Sequence, residues 1–408
     1  MAETKAFAYR GRDASGKVVK GSVEASSEVA ATSRLRVMGI TPISLTDAKA
    51  TGLNMELSIP GFEKSVKLKD LAVMARQMST MISSGLSLLR TLTILAEQTE
   101  SIPLRKTLSS VRSDVETGSS LSEAMGKHAK VFPPLMINLV RAGETGGFLE
   151  GSLISIAETY ENEVKLRGTI KAAMTYPIVV LVIAILAVAG MLIFIVPIFE
   201  QMFADLGGDL PIPTQILVNI SKQMYWIAPL TIVLFVVFWL WWRQNKHTEA
   251  VRKVVDPLRL KLPVFGPLFA KVTIARFSRN FSSMMAAGVP ILQSLSIVGE
   301  TAGNYVIEDG LRKVAESVRT GKSLSAPLGE ISVFPPMVVQ MVAVGEDAGA
   351  LETMLAKIAD FYDDEVQATA EQLTALIEPL MIAFIGAIIG GMVISMYLPM
   401  FMIFENIR

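Results

Sequence analysis

Apolar residues in this chain gather in blocks instead of spreading evenly. Three stretches, 177–199, 225–242 and 379–404, contain no charged residue. A bilayer core takes about 20 apolar residues as helix. The middle block is the shortest, and Tyr225, Trp226, Trp239, Trp241 and Trp242 stand at its two ends, where an aromatic belt belongs. The pattern predicts three membrane helices, over 174–199, 225–242 and 377–404. Basic residues set their direction: Lys165, Arg167 and Lys171 precede the first, and Arg243, Lys246, Arg252 and Lys253 follow the second. The segment 200–224 between them carries Lys222 alone against Glu200, Asp205 and Asp209. The chain is therefore expected to leave the cytoplasm at the first span, return at the second and leave again at the third.

Outside these blocks the apolar period is helical. Leu68, Leu71, Met74, Ala75, Met78 and Ile82 share one helix face, and the run stops at Gly85. Pro103 suits the first turn of a later helix that ends at Gly118, and Ser120 with Glu123 forms a capping-box pattern. The first residues read differently. Phe7–Arg10 alternates like a strand, 13–16 is a turn and 17–25 a second strand. The segment 27–38 reads as a helix stopped by Gly39, and 42–45 as a short strand.

Aligning the chain with itself reveals a duplication. Segments near 68–200 and 271–402 match at an offset of 203, then 202. Ser84-Gly85-Leu86 matches Ala287-Gly288-Val289, and Phe132-Pro133-Pro134 matches Phe334-Pro335-Pro336. Gly143-Glu144 matches Gly345-Glu346, Tyr160 matches Tyr362, and Pro177 and Pro197 match Pro379 and Pro399. The offset lays the first span over the third and leaves the second without a counterpart. Two like soluble bodies belong in one compartment, so an extra span must bring the chain back.

The predicted fold is mainly α: two duplicated cytoplasmic helical bundles of about six helices each, three transmembrane helices and a small α+β N-terminal module. The expected layout is 1–46 for that module, 47–67 for a linker and 68–173 for the first bundle. It continues with 174–199 for the first span, 200–224 for an external segment and 225–242 for the second span. It ends with 243–270 for a cytoplasmic connector, 271–376 for the second bundle and 377–404 for the third span.

Composition narrows the chemistry. Charged residues make up 19% against about 25% in soluble domains, as membrane spans require. Net charge is zero, so no global field draws nucleic acid, and none is expected as a partner. With no cysteine and only His128 and His247, thiolate chemistry and a His-rich metal site are excluded. No cofactor and no catalytic residue is predicted. Thr320-Gly321-Lys322-Ser323 resembles the end of a phosphate-binding loop, but Glu316 stands where its first glycine belongs, so a helix cap is the reading kept. Acidic residues including Glu346, Asp347, Glu352, Asp360, Asp363, Asp364 and Glu365 read as a solvated or partner-facing surface, with a divalent cation at a subunit contact as the alternative. Glu378 stands at the edge of the third span and reads as interfacial. Gly143, Glu144, Gly345 and Glu346 are the candidate partner-binding loops, with a helix terminus as the alternative. Gly386 and Gly390 form a small-xxx-small pattern that permits close packing of the third span on another helix.

On these features the chain resembles the PilC/GspF family, the inner-membrane platform proteins of type IV pilus and type II secretion systems. The residues that carry the likeness are Phe7-Ala8-Tyr9, Gly16, Gly21, Gly39 and Pro42, both glycine turns, both Phe-Pro-Pro triplets and both Gly-Glu pairs. The second unit departs at Ala348, where the first has Gly146. The resemblance implies a multi-pass protein of the bacterial inner membrane with its bulk in the cytoplasm. It implies contact with a pilus assembly or retraction ATPase, a hexamer, with pilin subunits and with other inner-membrane pilus proteins. It further implies self-association as a dimer or higher homo-oligomer, and a type IV pilus in preference to a secretion system. An oligomeric membrane transporter is the rival of another class, although in transporters the repeats are themselves membrane segments.

Overall fold

A computed structural model describes residues 5–12, 18–25, 28–47, 65–205, 210–246 and 248–406. The chain divides into two compact units, Met1–Lys64 and Ser65–Arg408. The expected turn at 13–16, most of the linker 47–67 and His247 lie outside the described residues.

In the first unit, β1 (Lys5–Arg12) and β2 (Val18–Ala25) pair antiparallel, α1 (Glu28–Val37) follows, and β3 (Thr41–Asp47) pairs with the other side of β1. The strand order is β2-β1-β3. The β1–β3 register shifts between Arg10 and Gly11. A Cβ on Gly11 would lie 2.5 Å from Ile40 Cγ2 and 2.8 Å from the Thr41 carbonyl, so the irregularity needs glycine there. Gly39 ends α1 with φ of 73°, as the sequence predicts.

The second unit opens with α2 (Leu68–Ser83), α3 (Leu88–Gln98), α4 (Ile102–Glu116), α5 (Leu121–Gly126) and α6 (Pro134–Gly146). The predicted signals act as read: Gly85 and Gly118 adopt φ of 84° and 100°, Pro103 stands in the first turn of α4, and Ser120 Oγ accepts the Glu123 N–H. Then α7 (Leu149–Gly190) runs unbroken from the soluble bundle into the first apolar block. A π-helical stretch, Met191–Ile195, joins it to α8 (Val196–Asp205). Next come α9 (Ile212–Asn245) and α10 (Glu249–Lys261). The second repeat is α11 (Gly266–Ala286), α12 (Ile291–Thr301), α13 (Tyr305–Arg319), α14 (Ser325–Leu328), α15 (Pro336–Asp347) and α16 (Leu351–Asn406). Each repeat thus contributes six helices, the last of which becomes a membrane span. Three helices are long and apolar enough to cross a bilayer: Leu149–Phe203, Ile212–Asn245 and Leu351–Phe401.

Two features go beyond the sequence reading. The buried side chains of the repeats, from Leu71 to Tyr160 and from Ile274 to Tyr362, form one continuous apolar core. The middle membrane helix starts at Ile212, inside the stretch read as external, because Ile212, Ile216, Leu217, Val218 and Ile220 continue its apolar pattern outward.

Candidate functional site

Both Gly-Glu pairs stand within helices, α6 and α15, and not in loops. The left-handed turn falls later, at Gly147 (φ 75°) and Gly349 (φ 65°). The glycines answer to packing instead: a Cβ on Gly143 would lie 2.5 Å from Ser152 Oγ, and one on Gly345 would lie 3.0 Å from the Met354 side chain. The glutamates cap. Glu144 accepts the N–H groups of Leu121 at 2.5 Å and Ser122 at 3.0 Å. Glu346 accepts those of Leu324 at 2.7 Å and Ser325 at 3.3 Å. Each carboxylate therefore meets the start of the short helix before its own, where orphan N–H groups and the helix dipole favour an anion. The surface beside each pair, Thr145 to Phe148 and Asp347 to Gly349, is exposed.

Several of the grouped acids pair with basic side chains. Arg76 binds Glu161 through Nε at 2.7 Å and Nη2 at 2.6 Å. At the equivalent place in the second repeat, Arg279 Nη2 meets Asp363 at 2.7 Å and Asp360 at 2.8 Å. The hydrogen bond from Arg76 holds Glu161 below the usual carboxylate range. Burial pushes Asp363 up despite Arg279. For Arg279, burial opposes the charge, but its bonds to Asp363 and Asp360 win and its pKa rises. Lys271 binds Glu365 at 2.7 Å. Gly321 closes α13 with φ of 83°, and the Lys322 N–H bonds the Ser317 carbonyl, so this segment is a helix cap. His128 Nε2 lies 3.2 Å from Ser110 Oγ on the surface, and Glu378 is exposed.

Across the repeats, Arg276 of α11 grips Glu163 of α7, Nε to Oε2 at 2.8 Å and Nη2 to Oε1 at 2.7 Å. Thr159 and Ser283 hydroxyls meet at 2.8 Å. A cavity of about 300 Å³ lies at this junction, lined by Tyr160, Glu163, Arg276, Arg279 and Asp363. Burial raises the Tyr160 pKa, so its hydroxyl stays protonated. In the first repeat the position of Arg276 is held by Val73, which is 47% exposed.

The membrane layer holds an arrangement that sequence reading missed. Proline lacks an N–H and so leaves a carbonyl one turn back without its helical partner. In the π-helical stretch the Val196 N–H reaches Met191, five residues back, so Pro197 orphans the Leu192 carbonyl. Ser221 Oγ of α9 donates to that carbonyl at 2.5 Å. Pro399 orphans the Ser395 carbonyl, and Thr214 Oγ1, two turns away on the same face of α9, donates to it. Pro177 orphans the Ala173 carbonyl, which Thr374 Oγ1 of α16 reaches at 3.3 Å. Leu192, Val196, Leu217, Val218, Met392 and Met396 form one buried apolar cluster, and Thr214 and Ser221 are buried as well. The unmatched middle helix thus closes onto both repeats at their equivalent prolines. A hydroxyl on one apolar helix and a proline on another are the signal available, and it is visible only once the helices are paired. Gly386 and Gly390 have nothing within 4 Å of a built Cβ, so among the described residues no helix packs on them.

A family model described as type II secretion system protein F matches residues 74–197 and, separately, 277–399. The model of the same family's N-terminal domain matches residues 1–46. The chain belongs to the type II secretion system protein F family, the PilC/GspF family. The two matches fall on the two repeats, so the duplication is a property of the family module. Among relatives, a type IV pilus assembly protein PilC of Myxococcus xanthus is 43% identical over 402 residues, covering 98% of this chain and 95% of that protein. The PilC of Thermus thermophilus is 43% identical over 398 residues, 97% of this chain and 98% of that protein. A type II secretion system protein F of Vibrio cholerae is 30% identical over 399 residues, 97% of both chains.

Proposed function

We propose that this chain is the inner-membrane platform of a type IV pilus machine, coupling a cytoplasmic hexameric ATPase to the insertion or removal of pilin subunits. The observation that carries the reading is the 43% identity to pilus assembly proteins along nearly the whole chain, against 30% to the secretion protein. The architecture supports it mechanically. One soluble core is continuous with two membrane helices, α7 and α16, so a displacement of that core moves both spans together. The basic residues flanking the spans support a cytoplasmic core. Partner contact through the exposed corners next to Gly143-Glu144 and Gly345-Glu346, and self-association through Gly386 and Gly390, belong to the same proposal.

Gene deletion in the source bacterium is expected to abolish surface pili while leaving type II secretion intact, with the intact gene restoring the fibres. Loss of secretion with pili retained would transfer the chain to the secretion branch of its family. Photo-crosslinkers at Thr145 and Asp347 are expected to capture the ATPase in cells. Capture of no cytoplasmic protein from either position removes the proposed role of these corners.

A further inference from the structure

Helix α10 follows the middle span after a three-residue connection. One face is secured to the second repeat: Asp256 is 4% exposed and accepts the Tyr305 N–H at 2.9 Å, and Arg252 binds Glu308 at 2.8 Å. The opposite face is apolar and uncovered. Val254 and Leu258, one turn apart, are 68% and 60% exposed, and Leu262 extends the line. Basic side chains border it. From 243 to 261 the chain holds Arg243, Lys246, Arg252, Lys253, Arg259 and Lys261 against Glu249 and Asp256; Arg252 is committed to Glu308 and Lys253 to Glu249, while Lys246, Arg259 and Lys261 are exposed.

The contact that decides the partner is between Arg259 and Trp242. The guanidinium carbon lies 5.8 Å from the indole centre. Trp242 ends the apolar block of the span, and tryptophan at that position sits among lipid headgroups. Helix α10 therefore folds back to headgroup level and does not project into solvent. A soluble partner or a second copy would have to cover an apolar line bordered by excess positive charge beside a bilayer that already complements both features.

We propose that α10 is an interfacial helix, with Val254 and Leu258 seated at the acyl boundary of an anionic leaflet and Lys246, Arg259 and Lys261 set on its phosphates. This anchors the second repeat to the membrane at a point separate from its own span. Because Asp256 joins α10 to the start of α13, a movement of the second repeat would pull α10 against the bilayer surface.

The test uses the full chain in nanodiscs. With no native cysteine, single substitutions V254C, L258C and, as an exposed control, E116C each carry one bimane label. In discs containing phosphatidylglycerol, the labels at 254 and 258 are expected to be quenched by brominated lipid and shielded several-fold from iodide relative to the control. K246Q with K261Q is expected to raise iodide quenching, each basic residue at an anionic surface being worth about five-fold in the ratio of seated to lifted helix. Iodide quenching equal to the control overturns the proposal. So does equal seating in purely zwitterionic discs, or shielding accompanied by label-to-label transfer between copies. The inference rests on the membrane-spanning reading alone, so its failure would leave the pilus assignment standing, and loss of that assignment would leave this result unchanged.

Discussion

Glu144 and Glu346 each hold two backbone N–H groups at the start of a neighbouring short helix, and their value follows from what is left when they go. Replacing either with alanine strands orphan donors and removes an anion from a helix N-terminus, a loss of about 1–2 kcal/mol. E144A and E346A are expected to lower the melting midpoint of the detergent-solubilised chain, and a midpoint unchanged in both contradicts the capping role. The duplicated arginine pairs differ by burial. Arg76 and Glu161 are 40% and 42% exposed, so solvent screens them and the pair contributes at most about 1 kcal/mol. Glu161 is held below its ordinary pKa, so its contribution is present above that value and is lost as pH falls through the folded value. The melting difference between parent and E161Q should accordingly shrink on acidification. Asp363 behaves oppositely. Burial raises its folded pKa, so its stabilising form is the protonated one, complete at low pH and lost as pH rises through the folded value. At neutral pH it depends on Arg279. R279A, which leaves Asp363 buried and unpaired, is expected to destabilise more than D363N, which leaves Arg279 with Asp360. Equal losses from the two substitutions would refute that asymmetry.

At the level of elements, the hydroxyls of α9 explain how a helix with no repeat partner is held by both repeats. An interhelical hydrogen bond in a membrane contributes about 0.6 kcal/mol on average. Here each also satisfies a carbonyl that proline has left open, in surroundings without water. T214V and S221A together are expected to lower thermal stability in micelles by about 1–3 kcal/mol, whereas T214S, which keeps the hydroxyl, stays near the parent. Equal loss in T214V and T214S would mean that shape rather than hydrogen bonding matters. These residues also mark the limit of sequence reading. Helix stops such as Gly85, Gly118 and Gly321, the proline in the first turn of α4 and the Ser120 cap were legible because their causes are local. The three spans and the duplication were legible because they repeat over long distances. The targets of Thr214 and Ser221 lie 181 and 29 residues away, and polarity made both look external. The Gly-Glu pairs misled differently: glycine signals either a left-handed turn or close packing, and only the packed bundle distinguishes them.

For the whole molecule, the question is whether duplication produced two bodies or one. The continuous core from Leu71 to Tyr362 argues for one, and the Arg276–Glu163 contact shows how the copies diverged to make it so. Val73, the first repeat's counterpart of Arg276, meets no such partner and is 47% exposed. The joining residue is therefore the one that breaks the symmetry. R276V restores the sequence of the first repeat at this place and leaves Glu163, 17% exposed, with Arg167 alone. Removing one partner from a buried pair costs about 3–5 kcal/mol, and partial solvent access here reduces that to about 1–3 kcal/mol. Loss of helix circular dichroism on heating is expected to remain one transition in R276V, moved to lower temperature, because the apolar core still spans both repeats. Two separated transitions in the parent would show that each copy folds alone, and the shared core would then lack cooperative meaning. Two transitions only in R276V would give a single ion pair the whole coupling, which the extent of the apolar contact argues against.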